Sequence, residues 1–182
     1  MNALLKSCGP VVATMLLAPA AGHGDTTIDV DMHAVSSDGI GESIGSVVLE
    51  EHKHGILLRP SLEQFSPGLH GFHLHQNPSC EPADKNGKAT AAAAAGGHYD
   101  PEDTNAHRGP YDPHGHLGDL PALVANAEGE VSVPQLVPRL TLEDLPGHAL
   151  VVHRGGDNYA DQPESLGGGG ARVACGVIPE LQ

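Results

Sequence analysis

The constraint that bears hardest on the fold is a period-two alternation of apolar and polar residues in short segments. In Thr26–Met32, Ile28, Val30 and Met32 fall on one face, and Thr27, Asp29 and Asp31 fall on the other. That spacing builds a half-buried strand and cannot make one apolar helical stripe. Comparable segments follow at Ser43–Glu50, Gly55–Pro60, Leu69–His75, Ala122–Asn126, Val131–Val137, His148–His153 and Arg172–Ile178. Gly or Pro separates most of them, and Asn126-Ala127-Glu128-Gly129 reads as a hairpin turn. Eight short strands predict an all-β sandwich or barrel. With 24 Gly and 15 Pro among 182 residues, a long helical bundle is disfavoured.

Two stretches break the alternation. Residues Gln76–Pro121 are rich in Gly, Pro, His and Asp, and Arg154–Ala171 is rich in Gly. Structureless connections of such length inside a compact domain usually carry function. Ala89–Ala95 is helix-friendly but too short to hold a helix alone, so at most one helical turn is expected there. No internal repeat or second domain is evident.

At the N-terminus, Lys6, the apolar run Val11–Leu17 and Ala18-Pro19-Ala20 form the three parts of a secretory signal segment. The run is too short to span a bilayer. The expected division is a cleavable segment at 1–20 and one domain at 21–182, without a membrane anchor, and a periplasmic location. Cleavage removes Cys8 and leaves Cys80 and Cys175, an even pair that in an exported chain reads as one disulfide rather than two free thiols.

The chain carries 9 Lys and Arg against 23 Asp and Glu, a formal charge of −14. It has no general attraction for nucleic acid or anionic membranes. Its 13 histidines ask for a metal or a proton-transfer role. His73 and His75 leave the same face of a strand while Phe72 and Leu74 enter the core. His98, His107 and His116 recur every nine residues in the long loop, Asp119 follows, and His153 ends an apolar strand. Four imidazoles suit Cu(II), and three imidazoles with a carboxylate suit tetrahedral Zn. Seven side chains make two four-coordinate sites only if one histidine is shared.

The strings Gly71-Phe72-His73-Leu74-His75, Gly97-His98-Tyr99-Asp100-Pro101, His107-Arg108-Gly109-Pro110, His116-Leu117-Gly118-Asp119-Leu120, Leu150-Val151-Val152-His153 and Arg172-Val173-Ala174-Cys175-Gly176-Val177-Ile178 together resemble copper/zinc superoxide dismutases. Gly155-Gly156-Asp157-Asn158-Tyr159 and Leu166-Gly167-Gly168-Gly169-Gly170-Ala171-Arg172 resemble the exported bacterial branch. The resemblance covers the whole expected mature chain. It implies an eight-stranded, immunoglobulin-like Greek-key β-barrel with two long functional loops. It also implies one copper on His73, His75, His98 and His153, and one zinc on His98, His107, His116 and Asp119, with His98 shared. Asp157 would accept from the far nitrogens of His73 and His107, Arg172 would stand by the open copper position, and Cys80–Cys175 would tie the long loop to the last strand. The implied reaction converts superoxide to oxygen and hydrogen peroxide as copper is alternately reduced and reoxidised. His98 would act as proton donor beside zinc. Because the net charge repels an anion, local cations must steer it: Arg172, with Lys85, Lys88 and Arg154 in the two loops. A homodimer is compatible with the sequence, which does not choose between one copy and two.

Other readings carry less. A copper- or zinc-buffering protein on the same scaffold would be expected to lack a copper ligand or the arginine, and this chain keeps them. A zinc hydrolase run beginning at His73 would need Asp then His after Gln76, where Asn77 and Pro78 stand. Gly167–Gly170 lacks the Gly-Lys-Ser/Thr of a phosphate loop. No serine sits in a nucleophile motif. His23, His33, His52 and His54 read as solvated, His70 and His148 as structural, and His114 as a rival of His116 that the resemblance does not select. Asp100, Glu102 and Asp103 read as solvated loop charges.

Overall fold

A computed structural model describes residues 27–180. The expected signal segment, and Thr26 at the expected start of the first strand, lie outside them. The strands, in chain order, are β1 (Thr27–Ser36), β2 (Gly39–His52), β3 (Gly55–Leu62), β4 (Gly68–His70), β5 (Phe72–His75), β6 (Ala83–Lys85), β7 (Lys88–Thr90), β8 (Leu123–Ala125), β9 (Gln135–Val137), β10 (Ala149–His153) and β11 (Arg172–Val177). Three short 3-10 turns, Ala93–Ala95, Leu142–Asp144 and Ser165–Gly168, are the only helical elements among the described residues.

Seven strands form one antiparallel sheet in the order β5-β10-β11-β1-β2-β3-β9, and β4 pairs with β8 in a separate two-stranded sheet. The spatial order β11-β1-β2-β3 is a Greek key: three consecutive strands, with the last one returning beside the first. The alternation that predicted β1 is realised in its burial. Ile28, Val30 and Met32 are buried, while Thr27, Asp29 and Asp31 are exposed. Their apolar faces meet Val47, Leu49, Ile56, Leu58, Phe72, Leu74, Leu150 and Val152 in one continuous core. With almost no aromatic residues, that core relies on aliphatic side chains, each contributing about 1.5–3 kcal/mol on burial.

Strand boundaries differ from the sequence expectation in three places that matter. The expected strand Leu69–His75 is two strands belonging to different sheets, with Gly71 at the break. The Gly71 amide donates to Gly155 O at 2.8 Å, and a Cβ there would stand 3.2 Å from the His73 ring. The expected strand Val131–Val137 survives only at its C-terminal end, because Pro134 has no ladder donor; Val131 makes a lone bridge to Leu62. Inside the long loop lies a hairpin, β6–β7, that alternation could not reveal because it has no apolar face. Its turn is Asn86-Gly87, with φ of 58° and 78°, the left-handed pair of a two-residue type I′ hairpin. The single turn at Ala93–Ala95 agrees with the expectation.

A second, smaller cluster covers the outer face of the sheet, where Ala92 and Ala95 pack on Ala149 and Val151 beside Cys80 and Cys175. The two cysteines form a disulfide with Cα atoms 5.6 Å apart and 95 positions apart in sequence. It anchors the long loop to β11. Both faces of β10 are therefore buried.

Candidate metal centre

The strand register assembles one half of the site. In β5, His73 and His75 stand opposite Val151 and Ala149 of β10, so they share the outer face of the sheet while Phe72 and Leu74 fill the core. His153 ends β10 just past a bulge, opposite Arg172 of β11. The other half is carried by loop residues held against β5 through isolated bridges, His75 to His98 and His73 to Asp119. All seven expected ligands are buried, with His73 and His75 at 0% exposure.

Each ring is aimed by the bond its other nitrogen makes. The Nε2–H of His73 donates to Asp157 Oδ2 at 2.9 Å, which leaves Nδ1 free. His75 and His153 are reversed: Nδ1–H donates to Gly96 O at 3.0 Å and to Gly170 O at 3.1 Å, leaving Nε2 free. His73 Nδ1, His75 Nε2, His98 Nε2 and His153 Nε2 are buried without a hydrogen-bond partner. Four such orphaned lone pairs would be costly unless something else satisfies them. They lie within 4.8 Å of one another, which fits a single ion ligated by four imidazoles.

The second group converges on Asp119 Oδ1. His98 Nδ1, His107 Nδ1 and His116 Nδ1 lie 3.0, 2.9 and 3.2 Å from it. Bonds of 2.0–2.1 Å to tetrahedral zinc would put neighbouring ligand atoms about 3.3 Å apart. His107 Nδ1 is close to that oxygen yet makes no hydrogen bond to it, as expected for two lone pairs aimed at a common third atom. Asp119 Oδ2 is occupied by the Arg108 and Gly109 amides at 3.0 and 3.2 Å. The donor set therefore fits zinc. His98 presents Nδ1 to this group and Nε2 to the other, and so belongs to both.

Asp157 spans the two halves. Its Oδ2 faces His73, and its Oδ1 accepts from His107 Nε2 at 2.8 Å and from the Tyr159 amide at 2.7 Å. Gly167, at φ 70°, packs on this carboxylate; a side chain there would run into Asp157 Oδ1 and His107 Nε2.

The electrostatics follow from burial and these partners. Burial, reinforced by the neighbouring His98, pushes the His73 imidazolium down to about 3. Burial lowers His153 to about 4, against the Gly170 carbonyl, and holds His75 well below its ordinary range with help from Arg172. Burial also lowers His98, against its bond to Asp119. These rings are neutral at pH 7, as ligands must be. His107 differs: burial lowers its pKa, but Asp119 and Asp157 outweigh that and raise it to about 9. Burial opposes ionisation of Asp119 and Asp157, yet hydrogen bonds from the histidines keep both carboxylates well below their ordinary range.

The cations are placed as follows. Arg172 is partly buried opposite His153, and its guanidinium donates to Ala92 O and Gly96 O. Burial lowers its pKa. Lys85 and Lys88 face each other across the exposed hairpin, and burial together with the charge of Arg172 lowers the Lys85 pKa. Arg154 instead lines a recess with Phe65, Ser66 and His70.

Of the remaining histidines, His70 is structural as expected: its two nitrogens lie 2.8 Å from His153 O and Ser66 O. His148 is structural too, with Nδ1 at 3.1 and 2.9 Å from His75 O and Gln76 O. His114 is exposed. Asp100 is not merely a solvated charge; it accepts from Thr104 Oγ1 at 2.9 Å and from the Asn105 amide at 2.8 Å, stapling the loop. Sequence reasoning missed Gly96, whose carbonyl aims both His75 and Arg172, as well as Arg139 and Asp161, which bond to the main chain of His116 and His107. A backbone carbonyl leaves no mark in side-chain patterns, and a lone Arg or Asp in a polar loop looks like any solvated charge.

A family model described as copper/zinc superoxide dismutase (SODC) matches residues 43–178. The chain is 52% identical over 169 residues to superoxide dismutase (Cu-Zn) 1 of Salmonella typhimurium, covering 92% of this chain and 95% of that one. Among solved structures, the Cu/Zn superoxide dismutase from Brucella abortus superposes with a TM-score of 0.82 at 50% identity, over 84% of this chain and 99% of that one. The monomeric copper, zinc superoxide dismutase from Salmonella enterica superposes with a TM-score of 0.76 at 51% identity, again over 84% and 99%.

Proposed function

The chain belongs to the copper/zinc superoxide dismutase family, and on that premise we propose how its residues divide the work of converting two superoxide anions and two protons into oxygen and hydrogen peroxide. The fold is the Greek-key barrel of that family. Copper would be held by His73 Nδ1, His75 Nε2, His98 Nε2 and His153 Nε2, and zinc by His98, His107, His116 and Asp119. When bound, copper supplies one-electron redox chemistry, and zinc supplies a fixed charge that never changes oxidation state.

The protein does the rest. Arg172, held by the Ala92 and Gly96 carbonyls, presents a fixed charge and its remaining N–H donors beside His153 and His75, where a small anion can be held in place. Lys85 and Lys88 extend positive potential outward on the hairpin tip and counter the repulsion of a chain carrying −14. Arg154, which lines a recess with Phe65, Ser66 and His70, is a third candidate for steering. His98 Nε2 is the atom that would carry a proton whenever copper does not engage it, since the Nδ1 side keeps the ring fixed to the Asp119 group. Asp157 fixes the tautomers of His73 and His107, so each turns its Nδ1 inward.

The observation that carries this assignment is that the ring of His98 belongs to both ligand groups while four buried ring nitrogens stand unpartnered around one point. The test is metal analysis of the purified protein, joined to a superoxide-removal assay before and after selective copper extraction. Activity that disappears with copper and returns on re-addition supports the assignment. Tight binding of both metals without superoxide removal would leave a metal-buffering protein instead.

The reading of 1–20 as a signal segment and 21–182 as the mature domain places the protein in the periplasm. The Cys80–Cys175 disulfide supports an oxidising compartment, and the relatives come from bacteria. Among the described residues, no helix is long and apolar enough to cross a membrane. Release by osmotic shock, with an N-terminus near residue 21, tests this. The monomeric Salmonella enterica relative favours a single-chain unit over a homodimer, which sedimentation velocity checks.

A further inference from the structure

The two halves of the centre are supported very differently. Of the copper group, His73, His75 and His153 stand on β5 and β10, whose ladders fix their backbones. His98, His107, His116 and Asp119 lie in a stretch that, beyond single bridges, has no strand or helix. Coil of this kind does not by its own hydrogen bonds bring four ligand atoms to the corners of a tetrahedron.

Two charged side chains from outside that stretch hold it by the main chain. Arg139, just after β9, donates Nη1–H to His116 O at 3.0 Å and Nη2–H to Gly115 O at 2.8 Å. Asp161, in the Arg154–Ala171 loop, accepts the His107 amide at Oδ2, 2.9 Å away, and the Leu166 amide at Oδ1, 3.1 Å away. Neither is among the residues of the two ligand groups. All four bonds are charge-assisted, roughly twice as strong as neutral ones. Only a guanidinium has the fork that meets two successive carbonyls; an ammonium is a point donor.

We infer that Arg139 and Asp161 are positioning residues that pre-shape the zinc half-site, holding the backbones of His116 and His107 in their ligating arrangement before the ion arrives. The inference rests on reading His98, His107, His116 and Asp119 as the zinc ligands. It deepens that reading by assigning the ordering of coil-borne ligands to two residues that never contact the metal. Ordering done during folding is not charged against zinc binding, so zinc is held more tightly. Three of the four copper ligands stand on β5 and β10 and the fourth, His98, bonds to neither Arg139 nor Asp161, so the effect falls mainly on zinc.

The test uses the full chain loaded with copper and zinc, and compares wild type with Arg139→Met, Arg139→Lys and Asp161→Asn. The readouts are the rate of zinc transfer to a chromophoric chelator, the rate of copper transfer to a copper chelator, and the cobalt absorption spectrum with Co(II) in place of zinc. Zinc release should be on the order of 10–100-fold faster in Arg139→Met and Asp161→Asn. Arg139→Lys should fall between Arg139→Met and wild type, and the copper rate should change far less than the zinc rate. The cobalt bands should broaden or shift in the fast-releasing variants. Should Arg139→Met fail to fold, the Lys and Asn variants carry the test. Wild-type zinc release from the folded variants overturns the inference, and so does equal loss of both metals, which marks a general loosening. A wild-type protein that retains no zinc refutes the underlying ligand assignment instead.

Discussion

At the scale of single residues, the centre depends on which nitrogen of each imidazole is already engaged. His73 turns Nδ1 inward because Asp157 takes its Nε2–H, whereas His75 and His153 turn Nε2 inward because carbonyls take their Nδ1–H. Asp157 does this for a ligand in each half at once. Replacing it with Asn leaves one carbonyl oxygen for two imidazole donors and puts an NH₂ against the other. The affinities for copper and zinc should both fall, each by roughly 10–100-fold. Competition titrations with chelators for each metal check this, and an effect on one metal alone would contradict the bridging role.

At the scale of elements, the β6–β7 hairpin sets two lysines directly opposite each other at its exposed tip. Like charges in that position destabilise a strand pair, so the arrangement costs local stability and gains a concentrated positive field near Arg172. Neutralising Lys85 or Lys88 to Gln should lower the superoxide-removal rate at low ionic strength. The loss should shrink as salt approaches the range where the Debye length is about 8 Å or less. Rate measurements across a salt series decide; a loss independent of salt would mean that the lysines act by contact rather than by steering. The disulfide is the other element-level device, because it alone joins the loop bearing Ala92 and Gly96 covalently to β11. Cys80→Ser with Cys175→Ser should cost about 2–5 kcal/mol of unfolding free energy in urea titrations. It should also weaken the hold of Gly96 O on Arg172 and His75.

At the scale of the whole molecule, the buried charges set how stability follows pH when the metals are removed. His73 and His153 have folded pKa values of about 3 and about 4, below the ordinary 6.5. As pH falls below 6.5 the unfolded chain takes up protons that the folded one refuses, and each such histidine lowers stability by about 1.4 kcal/mol per pH unit until its folded pKa is reached. Asp119 and Asp157, depressed below their ordinary range, add a loss of the same sign at still lower pH. His107 acts in the opposite sense. Raised to about 9, it contributes stability that is complete below 6.5 and is lost as pH rises through 9. The metal-free protein should therefore be most stable near pH 6.5. Zinc bound at His107 Nδ1, as proposed, would preclude the imidazolium, so the alkaline limb should vanish in the loaded protein. Urea titrations followed by circular dichroism, which suits a chain without Trp, would show this; a metal-free protein whose stability rises from pH 6.5 to 9 would contradict it.

The sequence by itself determined the strands with a single apolar face and the disulfide pairing, and it named the histidines and aspartate that the fold gathers into two clusters. Alternation and the order of short motifs are local properties, and burial of Ile28, Val30 and Met32 follows from them directly. The division of Leu69–His75 between two sheets was not local, because it depends on what lies against Gly71 from a loop more than eighty residues away. Nor could side-chain patterns disclose the Gly96 carbonyl or the Arg139 and Asp161 clamps. Those are decided when two long loops close over one sheet, since a hydrogen bond between distant segments requires a donor and an acceptor to be brought within about 3 Å, and only the tertiary fold fixes that distance.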